Sequence, residues 1–232
     1  MVDDRDALHD GLRMTAAALA EAEIPHALVG GYAAWARGAP EPSHDADFAI
    51  REVDVDRARE VLREAGLEIT EPTENWLFKA YHAGELIDVL YRMVGEPIDD
   101  DLLARTDELE VLAVRMPVLS ATEIMASKLR VLGEHYCDFS RLLPVARAMR
   151  EQIDWSDVRE RVDDNPYARA FLFLLDELAV VDAQDMGDDS LGSRTDAAEP
   201  ASGDPSSALE CGRPPFAARA GRPPGRVWAD RP

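Results

Sequence analysis

A short apolar run, HALV (26–29), leads straight into Gly30-Gly31 and then into an alanine-rich stretch, YAAWARG, that stops at Gly38. Glycine lets the backbone turn sharply and alanine favours helix, so the segment reads as strand, glycine turn, helix. A Pro-rich loop, APEPSH (39–44), follows, and then DADFAI (45–50). Alternation along an extended chain sends Phe48 and Ile50 to one side and Asp45, Asp47 and Ala49 to the other. The chain must therefore build a sheet in which a strand with two carboxylates on one face lies close to a glycine turn.

The remaining elements are read around that unit. Leu8, Leu12, Ala16 and Leu19 recur at three- and four-residue spacings and predict an amphipathic helix over Asp3–Glu23. Val53–Ala65 reads as another helix, stopped by Gly66. Strand candidates follow at 67–69 (LEI), 76–82 (WLFKAYH) and 85–91 (ELIDVLY), the last two joined like a hairpin around Ala83-Gly84. From Val118 the pattern becomes helical. Ser120 and Glu123 form a capping-box pair, Asp138 caps FSRLLPVARAMREQ, Asp154 opens WSDVRERV, and Asn165-Pro166 opens YARAFLFLLDELAVV. Pro144 either moves the start of its helix to about Leu143 or bends it. Beyond 181, Gly, Pro, Ser and charge dominate without periodicity, and seven of the fifteen prolines lie there. The expectation is an α+β chain in three parts. Residues 1–117 form a small mixed β-sheet domain flanked by helices, 118–181 a C-terminal helical bundle, and 182–232 a disordered Pro/Gly/Ser-rich tail.

Composition removes several classes of function. A formal net charge of -21 argues against an extended nucleic-acid surface, because such affinity rests on Lys and Arg neutralising phosphates. There is no apolar run of about 20 residues and no basic leader, so a cytoplasmic location with no membrane association is expected. The two cysteines, Cys137 and Cys211, do not make a disulfide framework or a zinc site. Basic residues are nearly all arginine, with Lys79 and Lys128 the only lysines.

The acids carry the chemistry. Carboxylates two apart on a strand stand with Cα atoms about 6.6 Å apart on the same side. Asp88 is flanked by Leu86, Ile87, Val89 and Leu90, and an acid in so apolar a strand calls for a partner or a metal. Together Asp45, Asp47 and Asp88 suit two Mg²⁺ ions about 3.5–4 Å apart, while the glycine turn gives a triphosphate access to backbone N–H groups at a helix start. By position alone Lys128 reads as a solvated lysine on an amphipathic helix. Alternation in WLFKAYH explains Lys79 as an outward-facing strand residue. His44 points away from the acid pair, and His26, His82 and His135 share no metal-like spacing.

VGGYAAWARGAPEPSHDADFAI (29–50) resembles the glycine pair, spacer and Asp-x-Asp motif of the polymerase-β-like nucleotidyltransferases. ELIDVLY resembles the strand with that family's third carboxylate. SATEIMASKLRVLGEHYCDFSRLLPVARAMREQIDW (120–155) is similar to the helical half of bacterial members that include abortive-infection toxins. The resemblance implies a nucleotidyltransferase domain in which Asp45, Asp47 and Asp88 are catalytic and bind two Mg²⁺, and in which Gly30, Gly31 and Lys128 bind the nucleotide. An NTP such as ATP would be the substrate, and the acceptor hydroxyl would belong to a small molecule, a tRNA or a protein. The alternative is a non-catalytic nucleotide- or partner-binding protein of this fold, one half of a toxin-antitoxin pair with a small antitoxin-like partner. Gly31 departs from the serine of many members, and Ser43-His44 from the Arg and Thr common in toxin-like ones.

Overall fold

A computed structural model describes residues 4–42, 44–94 and 96–181. The tail expected over 182–232 lies outside the described residues. Helix α1 (Asp4–Glu21) leads into β1 (His26–Val29), α2 (Gly30–Ala36), β2 (Ala46–Ile50), a 3₁₀ turn (Glu52–Asp54) and α3 (Val55–Glu64). Then come β3 (Glu68–Thr70), β4 (Leu77–His82) and β5 (Glu85–Leu90). Up to this point the order matches the sequence reading.

The next stretch does not match it. A two-stranded ribbon, β6 (Arg92–Met93) with β7 (Glu96–Pro97), precedes a short α4 (Asp100–Leu103) and the antiparallel pair β8 (Thr106–Val111) and β9 (Val114–Leu119). These strands escaped the sequence reading for physical reasons. In β8, TDELEV, the acids Asp107, Glu108 and Glu110 depress strand propensity, yet they are exposed on an edge strand, where charge discourages pairing with other chains. In β9, VRMPVL, Pro117 has no N–H to give to a neighbour and so argues against a strand.

The main sheet has the order β3-β4-β5-β2-β1-β9-β8 and is mixed: β2 with β5 and β1 with β9 are parallel, and the other pairs are antiparallel. The two central strands, β1 and β2, are buried throughout. Helix α1 sits close on the face that carries Ile87; a Cβ added at Gly11 would meet Ile87 Cδ1 at 2.7 Å. On α3, the Arg59 guanidinium lies over the Phe78 ring, 5.3 Å from its centroid. Phe48, Ile50, Phe78 and Ile87 are fully buried, each contributing about 1.5–3 kcal/mol by leaving water. Because strands alternate, covering this face turns the neighbouring residues Asp47 and Asp88 to the other one.

The helical half begins where β9 ends. Helices α5 (Ala121–Arg130), α6 (Phe139–Met149), α7 (Trp155–Arg161) and α8 (Pro166–Glu177) start at Ser120, Asp138, Asp154 and Asn165, whose side chains accept backbone N–H bonds. All four caps agree with the sequence. Helix α6 runs through Pro144 with its start at Phe139, so the proline is accommodated inside the helix. The capping box at Ser120 is only half made. Ser120 Oγ accepts from the Glu123 N–H at 3.3 Å, but the Ser120 N–H goes to the Arg105 carbonyl and the Glu123 carboxylate turns to Arg105 and Arg161. No described helix is long and apolar enough to cross a membrane.

Candidate metal centre

Three neighbouring strands present the site. In the parallel β2–β5 ladder Asp47 stands opposite Asp88, and in the antiparallel β1–β2 ladder Val29 stands opposite Asp47. Gly30 follows Val29 directly, so the glycine pair begins beside the acids. One oxygen each from Asp45, Asp47 and Asp88 lies within 4.8 Å of the others. Asp45 is half-buried at the mouth of β2, Asp47 is buried, and the Asp88 side chain is 13% exposed.

The donor set suits a hard divalent cation. An octahedral Mg²⁺ with bonds of about 2.1 Å holds its ligand oxygens roughly 3–4 Å apart, slightly closer than the bound of 4.8 Å. Carboxylate oxygens select Mg²⁺, Mn²⁺ or Ca²⁺ over softer metals. The residues therefore fit the ion expected from the sequence. Burial pushes the Asp88 carboxyl above the ordinary carboxylate range, and the adjacent Lys79 ammonium, with its hydrogen bond, pulls the other way.

The glycine pair is constrained by backbone and by space. Gly30 has φ +67°, the left-handed region where a Cβ is costly, and a Cβ at Gly31 would meet Pro42 Cβ at 3.0 Å. The loop from α2 to β2 thus folds back over Gly31. A side chain there would require Pro42 to move by a few tenths of an ångström. Arg37, at the end of α2, anchors this unit by donating to the Leu119 carbonyl at 2.7 Å, the Val118 carbonyl at 3.0 Å and Asp107 at 2.7 Å. Lys128 lies half-buried in the last turn of α5, a helix that packs against α2.

Residues 2–179 match the model of a family described as "Uncharacterised nucleotidyltransferase". The chain belongs to this nucleotidyltransferase family. No curated protein matches it. The solved antibiotic-resistance factor ANT(2'')-Ia shares the fold: its solution structure aligns with a TM-score of 0.51 at 15% identity, over 74% of this chain and 94% of that one. A crystal structure of ANT(2'')-Ia with adenylyl-2''-tobramycin gives the same TM-score, 0.51, at 15% identity, over 72% and 97%. The lincomycin-bound lincosamide antibiotic adenylyltransferase LnuA aligns with a TM-score of 0.44 at 11% identity, over 60% and 94%. As a member of this nucleotidyltransferase family the chain is an enzyme.

The structure also brings residues to the acidic trio that the sequence reading did not place there. Lys79 Nζ lies 3.1 Å from Asp88 Oδ1. Strand alternation placed Lys79 on the right face, but only the β4–β5 register reveals Asp88 opposite it. His9, on α1, meets Glu41 at 2.8 Å, stacks on Trp35 and meets the edge of Tyr32. The Tyr32 phenol is pushed up to about 12, first by burial and then by Glu41, with Asp45 adding to the effect, so it stays a neutral donor. No signal in the sequence joined His9 to Glu41, because they come from different elements.

Proposed function

We propose that the protein moves an NMP unit from an NTP to a hydroxyl of a small acceptor molecule in a Mg²⁺-dependent reaction. The observation that carries this reading is the convergence of Asp45, Asp47 and Asp88 to within 4.8 Å on adjacent strands. In it, Asp45, Asp47 and Asp88 would hold the metal, and Asp88 also faces the acceptor. A divalent ion bound there neutralises phosphate charge and favours in-line displacement. The acceptor oxygen bonds to the α-phosphorus, the bond from that phosphorus to the pyrophosphate oxygen breaks, and the hydroxyl proton passes to the Asp88 carboxylate. Burial supports the last role by making Asp88 more basic than an exposed carboxylate. Gly30 and Gly31 give the triphosphate close access to backbone, and Lys128 pairs with its phosphates.

Two observations favour a small acceptor over tRNA or protein. The net charge of -21 opposes a long polyanion and attracts a cation. ANT(2'')-Ia, which shares the fold, is seen with adenylyl-2''-tobramycin.

The test uses labelled NTPs with Mg²⁺ and either a cell extract or a panel of hydroxylated small molecules. Labelled small-molecule product is expected from the wild type. Asp45→Asn or Asp47→Asn should lower turnover by at least about a hundredfold, the upper range for residues that support a metal indirectly, with the melting temperature retained. A fully active double variant would remove the assignment, and nucleotide binding without any labelled product would turn the reading to a non-catalytic binder.

A further inference from the structure

Lys79, Asp88 and Asp47 stand in register on β4, β5 and β2, on three consecutive strands of the sheet. We infer that Lys79 is a built-in counter-ion that holds one oxygen of Asp88 and so sets how tightly the carboxylate trio takes a divalent cation. The inference rests on reading the trio as a metal site.

The geometry supplies a cation already in place. The ammonium is 3.1 Å from Asp88 Oδ1, a charge-assisted hydrogen bond, and the side chains are only 27% and 13% exposed, so solvent screens the pair weakly. Cross-strand register fixes the encounter, since residues directly opposite in an antiparallel ladder keep their Cβ atoms about 4.5–5.5 Å apart. Lysine reaches that distance with its apolar stem along the sheet and its charge at the acid.

The choice of lysine is informative in this chain. The sequence holds 25 basic residues, and all are arginine except Lys79 and Lys128. An arginine at position 79 would offer a planar fork that grips both oxygens of a carboxylate. The compact ammonium holds Oδ1 and leaves Oδ2 for a metal or an acceptor proton. It also places a positive charge near any ion that the trio binds, which lowers the affinity for that ion. The price is weaker metal binding, and the return is a site that folds without three acids crowding one another.

The test is Mn²⁺ binding to the full chain, followed by electron paramagnetic resonance of the free ion and by calorimetry. Lys79→Met, similar in length and uncharged, should bind Mn²⁺ on the order of tenfold more tightly. It should melt at a lower temperature without metal and gain more from added metal than the wild type does. Lys79→Arg, which keeps the charge and the fold, should bind Mn²⁺ more weakly than the wild type. Unchanged affinity in both variants, or weaker binding by Lys79→Met, overturns the counter-ion role and leaves the metal site standing. If the wild type binds no Mn²⁺, or if Asp45→Asn and Asp47→Asn bind it equally well, the metal site itself falls and the inference goes with it.

Discussion

The His26 ring is buried in β1, with Nδ1 donating to the Ile24 carbonyl at 2.8 Å and, among the described residues, no partner for Nε2. Burial lowers its pKa below the ordinary 6.5, against smaller opposing effects from the Ile24 carbonyl and Glu108. The sign follows from proton counting. Below about pH 6.5 the unfolded chain takes up a proton that the folded ring refuses, so stability is full above that pH and is lost as pH falls toward the lowered folded value. Melting temperature should therefore drop between pH 7 and pH 5, and His26→Gln should flatten that part of the slope; an equal slope in both proteins would show that His26 is not responsible. At this scale the acids were legible in the sequence, because alternation alone put Asp45 and Asp47 on one face and marked Asp88 as a polar intruder in an apolar strand. His9, Glu41 and Lys79 were not legible as partners, since a polar side chain reveals its contact only when a second element arrives beside it.

Among the elements, α5 shows how local and tertiary demands compete for one residue. Ser120 and Glu123 have the spacing of a reciprocal cap, yet the Glu123 carboxylate accepts from Arg105 at 2.7 Å and from Arg161 at 2.5 Å, and its side chain is 10% exposed. Burial alone would raise the Glu123 pKa, but the two guanidinium hydrogen bonds outweigh it and hold the carboxyl below its ordinary value. The contact ties α5 to the residue before β8 and to the end of α7, along one wall of a cavity of about 260 Å³. Glu123→Gln removes the charge and leaves two guanidiniums facing one another, one of them half exposed to water, so a loss of about 1–2 kcal/mol is expected, read as an earlier urea midpoint. A variant that lost only the few tenths of a kcal/mol typical of an exposed pair would show that the cluster is solvent-screened. Asn165 joins elements in a similar way: its side-chain oxygen caps α8, while its amide donates to the carbonyls of Leu129, Arg130 and Leu132 at the end of α5. The cap could be read from Asn-Pro, but the bond to α5 could not.

For the molecule as a whole, the dominant physical property is its charge of -21. A field of that sign draws cationic small molecules toward the protein and is screened within about 10 Å at 0.1 M salt. If the acceptor is a cation, its KM should rise several-fold between about 50 and 500 mM salt while kcat changes little, and a neutral acceptor should show no such trend in the same steady-state assay. The sequence by itself determined the parts that depend on near neighbours: the helix caps, the glycine turn, the alternation of β2 and β5, and the charge. Tertiary structure alone decided that β8 and β9 extend the sheet, that Glu123 leaves its cap for two arginines, and that Lys79 meets Asp88. The first two depend on residues far apart in the chain and the third on the exact register of the β4–β5 hairpin, and these contact energies exceed the local preferences that a linear pattern records.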